Sequence, residues 1–312
     1  FEVMLQDDKR KPVFNPRPIT KMPPEALKNP ECTFILLQSH KFAAKTGLPH
    51  FSNLCTPEQK AASYTSTGFR LAIDWREDWE LDTLQTESVD TVIINLPRVM
   101  YDAGGKEANF FRVLDDQLEM ALRALDIKYR TIKQREREQM LPFLMQKTDG
   151  DQYFRIENAA RLVSFVGLNE TIQAFFDKPL KLDGETLDFA KKTVAYLSSE
   201  IKRYSKKPET RAALAMVPAP DAAKRLAELD AESYGWAKVR AQGTREKPFY
   251  TDLVALPLNL DVSWKDRMRV EERFHSLTSG GHLAVLPLAD ETQKPDELLS
   301  ITQEIAGNYG VG

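Results

Sequence analysis

The sequence predicts an α/β fold organised around a parallel sheet or barrel. Residues 91–101 (TVIINLPRVMY) contain a short apolar, β-branched run that ends at Pro97, which is typical of a buried strand closing in a turn. A long amphipathic helix follows at residues 107–138, where apolar residues recur at three- and four-residue steps. The alternation of strand and helix then continues to the end of the chain, and this order favours parallel strands.

The composition excludes several classes of protein. The chain has 312 residues, of which 42% are hydrophobic and 29% charged, as is ordinary for a globular domain. A net charge of -3 gives no reason to expect nucleic acid or a membrane surface as a partner. No membrane span or signal peptide is visible, so the sequence predicts a cytoplasmic protein. Cys32 and Cys55 are the only cysteines and the histidines lack metal spacing, so no disulfide framework or metal site is expected.

The first third of the chain predicts an arm followed by short elements. Residues 1–30 carry six prolines among many charges, which predicts an extended arm ahead of an α/β domain at 31–312. Residues 33–37 (TFILL) predict a strand, and residues 38–46 predict a helix that stops at Gly47. Residues 51–69 read as a loop that allows a short helix at 57–63, residues 70–74 as a strand, and residues 75–88 as a solvated loop.

The remaining elements alternate regularly. A strand is predicted within 153–166, followed by a helix to about residue 176 with Asn169 as its N-cap, and a further helix begins at Asp183. Residues 213–217 predict a strand that Pro218 and Pro220 interrupt, before a helix at 221–230. Residues 249–258 predict strand and loop, 264–277 a helix, 282–288 a strand, and 295–306 a last helix ended by Gly307.

Polar residues at strand ends are the candidate functional groups, because ligands of such folds bind there. Asn95 ends the central strand and is expected to face the interior of the barrel. Arg98 suits a phosphate or carboxylate ligand, and a structural ion pair explains it equally well. Residues 278–281 (TSGG) follow a helix, and their backbone N–H groups suit a phosphate, although a helix C-cap also accounts for the glycines.

Six stretches of the chain, in order, resemble the oxygen-sensitive, glycyl-radical (class III) ribonucleotide reductases, which reduce ribonucleoside triphosphates. They are residues 47–53 (GLPHFSN), 94–98 (INLPR), 166–170 (VGLNE), 248–251 (PFYT) with 256–257 (LP), 278–282 (TSGGH) and 305–310 (IAGNYG). None is specific alone, and their shared order and spacing carry the resemblance. It runs from about Thr33 to the end and corresponds to the C-terminal half of the family's catalytic domain.

The resemblance implies a fold and a radical chemistry. The family's fold is a ten-stranded α/β barrel of two parallel halves, of which this chain would be the later half. Inside the barrel, a finger loop carries a radical cysteine, which is oxidised by a glycyl radical on a C-terminal loop. A partner iron–sulfur activase makes that radical from S-adenosylmethionine. The implied partners are therefore a ribonucleotide substrate or nucleotide effector, the activase, and a second copy or a complementary chain.

The resemblance also assigns residues to a site. As catalytic groups it gives Asn95 and, if the finger loop were rebuilt, Cys55. The substrate-binding residues that it implies are Arg98, Thr251, Asp252, Ser279, Gly280, Gly281 and His282. No metal ligand is assigned, and no cofactor is expected within the chain besides a bound nucleotide.

Three departures from the family pattern affect this site. The segment that corresponds to the radical cysteine reads STGFRL at residues 66–71 and has no thiol. The family's Thr-Pro-Ala-Glu turn reads VPAP at residues 217–220, which removes a carboxylate, and Asp252-Leu253 replace the family's Asn-Ser. The family's glycyl-radical loop and its cysteine-rich metal site would lie beyond Gly312, so we expect the sequence to be a piece of a longer chain.

Three functional hypotheses emerge from these motifs. In the first, the chain is part of an anaerobic ribonucleoside-triphosphate reductase, with Cys55 or a cysteine from another part completing the site. The second is a degenerate relative that keeps the barrel as a nucleotide-binding or scaffold protein without radical chemistry. In the third, it is an unrelated α/β binding protein, which the six motifs make the least favoured of the three.

Overall fold

The structure is a computed structural model that describes residues 1, 4, 18–56, 62–65, 67–72, 75–206, 210–287 and 294–310. Within these ranges the helices are α1 (Pro24–Lys28), α2 (Pro30–Thr46), α3 (Trp79–Thr83), α4 (Leu96–Asp102), α5 (Glu107–Arg137), α6 (Leu168–Phe176), α7 (Glu185–Ser205), α8 (Pro220–Tyr234), α9 (Trp264–His275) and α10 (Pro295–Asn308). The strands are β1 (Ile19–Met22), β2 (His50–Asn53), β3 (Ser63–Tyr64), β4 (Arg70–Leu71), β5 (Ser88–Asn95), β6 (Lys147–Thr148), β7 (Asp151–Gln152), β8 (Ala160–Val166), β9 (Ala212–Leu214), β10 (Gln242–Gly243) and β11 (Pro248–Phe249).

A parallel sheet in the order β5-β8-β9 forms the centre of the fold. Asn95, the last residue of β5, pairs with Val166, the last residue of β8, so the carboxyl ends of the two strands lie level. A parallel bridge between Met216 and His282 adds one more segment beyond β9. Among the described residues this sheet is open, so the fold is mixed α/β and a closed barrel is not part of it.

Helices cover one face of the sheet and form the main core. Helices α4 and α5 connect β5 to β8, and α6 and α7 connect β8 to β9, as parallel neighbours require. The predicted stripe of α5 is buried: Phe110, Leu114 and Leu125 are wholly inaccessible to solvent and pack in one cluster with Val163 of β8. Burying this stripe is the main stabilising contribution of the helix.

The opposite face of the sheet has a smaller cluster at its carboxyl end. Val166 of β8 packs there against Tyr250 and against Ala223 and Ala227 of α8. The alternation of side chains along a strand explains the division, since Val163 and Phe165 point to the helix layer while Val166 points away from it. Helix α8 is thereby held over the carboxyl edge, where the candidate residues lie.

Residues 18–30, the described part of the segment predicted as an extended arm, contain β1 and α1. Strand β1 pairs in parallel with β2, and Met22 is buried with Leu36 of α2 and Leu299 of α10. The strand predicted at 33–37 is wrong, because this segment lies inside α2. The Asn29 side chain caps that helix by accepting the N–H of Glu31, at 2.9 Å. This cap and Pro30 in the first turn favour the helix over the β-preferring side chains.

Other boundaries also differ from the sequence prediction. Gly167 precedes α6 with φ of 79°, so the N-cap assignment of Asn169 is wrong. Residues 79–83 are helical inside the predicted solvated loop, because the Asp78 side chain accepts the N–H of Leu81 and caps α3. The predicted strand at 282–288 is reduced to the bridge at His282, and residue 288 lies outside the described residues. The short helix at 57–63 falls mostly on residues 57–61, also outside them.

None of the helices in the described ranges is long and apolar enough to cross a lipid bilayer.

Candidate functional site at the carboxyl edge of the sheet

Asn95 lies at the junction between strand β5 and helix α4. Its side-chain oxygen accepts the N–H of Arg98 at 3.2 Å, which makes it the N-cap of the helix, and Pro97 occupies the first turn. Its amide group donates to Asp230 of α8 at 2.8 Å. Both ends of the Asn95 side chain are therefore engaged in holding the strand, α4 and α8 together.

Asp230 is the centre of a buried hydrogen-bond network. Besides Asn95, its carboxylate accepts the Arg98 guanidinium at 2.6 Å and the Tyr250 hydroxyl at 2.7 Å. The side chain of Asp230 is fully buried, while that of Arg98 is 39% exposed. Burial is the main cause that raises the pKa of Tyr250, and the nearby Tyr101 and Asp230 raise this pKa further. The hydroxyl of Tyr250 therefore stays protonated and acts as a donor. Arg98 therefore forms a structural ion pair with Asp230, which is one of the two roles that the sequence allowed for this arginine.

A second buried carboxylate, Glu170, fixes the neighbouring loop. It accepts the backbone N–H of Thr251 at 3.0 Å, the hydroxyl of Thr251 at 2.8 Å and the side-chain amide of Gln242 at 2.9 Å. The Thr251 carbonyl in turn accepts the N–H of Gly167 at 2.7 Å. A Cβ at Gly167 would lie 2.3 Å from Cγ of Pro97, so glycine is required where these segments meet.

Asp252 lies at the start of helix α8. One oxygen of its half-buried carboxylate accepts the backbone N–H of Ala219, the residue before the first turn, at 2.8 Å. Burial raises the pKa of Asp252 above its ordinary value. Because the first N–H groups of a helix attract anions, a carboxylate is favoured at this position.

Gly281, the second glycine of the TSGGH motif, allows the loop at residues 68–70 to approach closely. At Gly281 the backbone φ is 118°, and a Cβ would lie 2.3 Å from the carbonyl oxygen of Gly68. The N–H of Gly280 donates to Leu214 at 2.8 Å and that of Gly281 to Thr278 at 3.0 Å. The Ser279 carbonyl accepts the Arg70 side chain at 3.3 Å. These bonds use both glycine N–H groups that the sequence offered to a phosphate.

His282 belongs to a chain of titratable groups on the helix side of the sheet. Its Nε2 lies 3.0 Å from a carboxylate oxygen of Glu271, and both side chains are buried. Its Nδ1 lies 2.8 Å from Nδ1 of His275, so these two nitrogens share a single proton. His275 and His282 line a cavity of about 820 Å³ together with Tyr64, Lys191 and Arg273. Direct contacts therefore connect the buried Glu271 to the wall of this cavity through the two histidines.

Cys55 lies in neither group. Its N–H donates to the Asn53 side chain at 2.9 Å, and its sulfur lies 3.5 Å from the carbonyl oxygen of Met22. It packs on the cluster that Met22 and Leu299 form beside β1. Partial burial, with the charge of Glu25, raises the pKa of its thiol. Among the described contacts, none joins Cys55 to Asn95.

The predicted site residues therefore divide into three groups. Asn95, Arg98, Thr251 and Asp252 meet at the carboxyl edge, while the residues 279–282 lie at the next segment of the sheet and Cys55 at the first strand pair. Sequence reasoning missed Asp230 and Glu170, the two centres of the edge. Glu170 and Tyr250 stood inside the quoted motifs, whereas nothing in the pattern around Asp230 distinguished it from a solvated helix position.

Comparisons with known proteins agree on one family. A family model described as NRDD, anaerobic ribonucleoside-triphosphate reductase, matches residues 1–312. A protein of that name from Haemophilus influenzae is 26% identical over 207 residues, which cover 63% of this chain and 28% of the relative. One from Escherichia coli is 24% identical over 208 residues, with the same coverage. The chain thus spans less than a third of the length of these relatives.

Solved structures show the same fold. An anaerobic ribonucleotide reductase from Thermotoga maritima, in complex with dATP and CTP, aligns with a TM-score of 0.75 at 17% identity. The alignment covers 99% of this chain and 49% of that one. A B12-independent glycerol dehydratase from Clostridium butyricum aligns with a TM-score of 0.59 at 13% identity, covering 94% of this chain and 46% of that one. At these identities the likeness establishes the fold alone.

Proposed function

Because the chain belongs to the anaerobic ribonucleoside-triphosphate reductase family, we propose that it is the part of a reductase-type barrel that holds a ribonucleotide. The binding site is the carboxyl edge of the sheet, where β5, the start of α8 and the segment 250–252 meet. The observation that carries the proposal is the Asp252–Ala219 contact of 2.8 Å, which marks an anion position at the start of α8. Ligands of open parallel sheets bind at this edge.

The ligand class is inferred from family membership and from the edge itself. The T. maritima relative is described in complex with dATP and CTP, which makes a nucleotide the first ligand to test. The Asp230 and Glu170 networks make the edge rigid, since every polar group named there has a partner within the chain. A rigid edge loses little conformational entropy on binding, which favours affinity.

Asp252 has a direct consequence for that affinity. Its carboxylate and a nucleotide phosphate compete for the N–H groups at the start of α8, and like charges at this distance repel each other. Ribonucleotide binding by this chain is therefore weak at neutral pH. It strengthens when Asp252 is protonated or replaced by a neutral side chain.

The residues of this chain do not fit the radical step of the family. The loop that contacts Gly281 contains Thr67, Gly68 and Phe69. None of these residues has an S–H bond that could exchange a hydrogen atom with the ribose. Cys55, the remaining candidate, packs beside β1 and α10. The proposed role of this chain is accordingly nucleotide binding, without a radical step on its own side chains.

Calorimetric titration of the chain with CTP tests the binding proposal. We expect Asp252→Asn to lower the Kd about fivefold, since an anion at a helix N-terminus contributes about 1 kcal/mol. The matched control is Asp221→Asn, which removes an exposed charge from the first turn of the same helix without opening the Ala219 N–H. An equal effect of both variants, or no binding by either, would contradict the proposal.

The role of Cys55 is tested separately by turnover. With an anaerobic activase, S-adenosylmethionine and CTP, we expect Cys55→Ser to give the same yield of dCTP as wild type. Selective loss of dCTP formation in Cys55→Ser, with unchanged CTP binding, would instead make Cys55 the radical residue.

A further inference from the structure

Two histidine rings meet at a point that the proposed ribonucleotide site does not use. His275 is the last residue of α9, and His282 follows the next turn and bridges to Met216 beyond β9. Their Nδ1 atoms lie 2.8 Å apart, and their ring centres lie 4.5 Å apart with the planes inclined at 44°. Two basic nitrogens therefore face each other, and a proton or another cation must stand between them.

The carboxylate of Glu271 fixes the orientation of His282. Nε2 of His282 lies 3.0 Å from a Glu271 oxygen, and both side chains are fully buried. Glu271 is itself held by the backbone N–H of Ala255, at 3.1 Å from each of its oxygens, and by that of Leu256, at 3.2 Å. Because a carboxylate accepts hydrogen bonds, it favours the imidazole proton on Nε2. The lone pair of His282 is thereby left on Nδ1, the atom that faces His275.

This arrangement is the one that surrounds metal-binding histidines. A histidine that binds a metal through one ring nitrogen usually gives the N–H of the other to a carboxylate or a carbonyl, which orients the ring and raises its basicity. Glu271 is placed to do this for His282. A hydrogen bond between the two rings needs one shared proton and no carboxylate, whereas a metal site uses both lone pairs and gains from the carboxylate behind them.

The separation of the two nitrogens indicates which metals fit. A metal at about 2.0–2.1 Å from both Nδ1 atoms, at their separation of 2.8 Å, would bind them at an angle of about 84–89°. A tetrahedral zinc site would instead need the two nitrogens about 3.3 Å apart. An angle near 90° belongs to square-planar and octahedral complexes, and tetragonal sites with nitrogen and oxygen ligands are typical of Cu²⁺ and Ni²⁺.

The remaining coordination positions lie on the side of a cavity. Both histidines line the cavity of about 820 Å³, and the half-buried His275 has space on this side, whereas His282 is buried. Across the described residues, no three His, Cys, Asp or Glu side chains are placed to hold one metal ion. The protein therefore supplies two ligands, and water or an oxygen ligand in the cavity completes the coordination.

We propose that His275 and His282 bind a divalent transition-metal ion of the Ni²⁺ or Cu²⁺ type through their Nδ1 atoms, with Glu271 as the carboxylate that orients His282. The ion takes the place of the shared proton, and His275 then carries its own proton on Nε2. The open positions present a Lewis acid to oxygen donors in the cavity. The proposal stands on the histidine pair and does not depend on ribonucleotide binding at the carboxyl edge.

Calorimetric titration of the full chain with Ni²⁺, without a histidine tag, tests the proposal. We expect one Ni²⁺ per chain. His275→Ala should weaken its binding at least about tenfold, since even changes to the partners of metal ligands cost about 10–100-fold. Glu271→Gln should weaken it about tenfold with both histidines in place. Because His275 is half-buried, its truncation should keep the fold, which circular dichroism checks for each variant.

The control is His40→Gln, which removes a histidine from outside the pair. Both ring nitrogens of His40 are already engaged, Nδ1 at 2.7 Å from the Leu36 carbonyl and Nε2 at 2.9 Å from the Thr302 hydroxyl. This variant should bind Ni²⁺ as wild type does. Asp252→Asn should also leave the Ni²⁺ affinity unchanged, which separates this site from the carboxyl edge.

Electron paramagnetic resonance of the chain loaded with Cu²⁺ identifies the ligands directly. We expect coupling to two imidazole nitrogens in wild type and to one in His275→Ala. Absence of Ni²⁺ binding by the folded chain, equal weakening by His40→Gln and His275→Ala, or a Cu²⁺ signal that His275→Ala leaves unchanged, each overturns the proposal. The contact between the two rings would then be a structural hydrogen bond only.

Discussion

The buried Asp230 network allows a quantitative prediction. Asp230→Ala removes the acceptor of the Asn95 amide, the Arg98 guanidinium and the Tyr250 hydroxyl, which lie at 2.8, 2.6 and 2.7 Å. Breaking a buried charge pair costs about 3–5 kcal/mol. Because 39% of the Arg98 side chain is exposed and regains water, we expect the lower end of that range. The free energy of unfolding should therefore fall by about 3 kcal/mol.

The assay is urea unfolding followed by circular dichroism, with a double-mutant cycle. Tyr250→Phe alone removes one hydrogen bond and should cost about 1 kcal/mol. In the Asp230→Ala background the same substitution should cost clearly less, because the hydroxyl has already lost Asp230 and keeps only its contact with Tyr101. Glu232→Ala, an exposed change on the same helix, should stay within about 0.5 kcal/mol of wild type. Additive effects of Asp230→Ala and Tyr250→Phe would refute the network as described.

Three further predictions concern the edges of the sheet. Gly281→Ala should cost about 3 kcal/mol of unfolding free energy or prevent folding, because its Cβ would lie 2.3 Å from the Gly68 carbonyl. Gly307→Ala, which has nothing within 4 Å, should be neutral or stabilising and serves as the control. Asn95→Ala should cost about 1 kcal/mol through the lost helix cap. Asn95→Asp keeps the cap but places a second carboxylate beside Asp230, so urea unfolding should show the larger loss for Asp. Because burial raises the pKa of Asp252, its contribution to stability is present below the ordinary pKa of 3.8 and is lost as pH rises through the raised pKa. Wild type should therefore lose stability relative to Asp252→Asn over that interval, and parallel pH profiles of the two proteins would contradict this.

Local signals predicted the elements near the site well. The β-branched run before Pro97 and the stripe of α5 each determine one element by themselves, and both are confirmed. The segment 33–37 misled because its side chains prefer strands, while the cap at Asn29, four residues earlier, determined the outcome. Phe34 lies in α2 and is 65% exposed. Hydrophobic periodicity would not predict this exposure for a phenylalanine.

The site itself depends on contacts that are distant in the sequence. Asn95 and Asp230 are 135 residues apart, and Thr251 and Glu170 are 81 apart, so neither pair leaves a local pattern. The motifs did bring Asn95, Glu170, Tyr250 and Thr251 to attention through the family resemblance. The motifs did not predict the contact between Asp252 and the start of α8, because only the folded chain brings these two segments together.

The most direct test of nucleotide binding at the carboxyl edge is the position of CTP in a crystal structure of the Asp252→Asn chain. We predict a phosphate at the start of α8, within hydrogen-bond distance of the Ala219 N–H, and the sugar above the Asn95 end of β5. Phosphate density confined to the His275–His282 cavity, with the start of α8 empty at saturating CTP, would contradict the proposal.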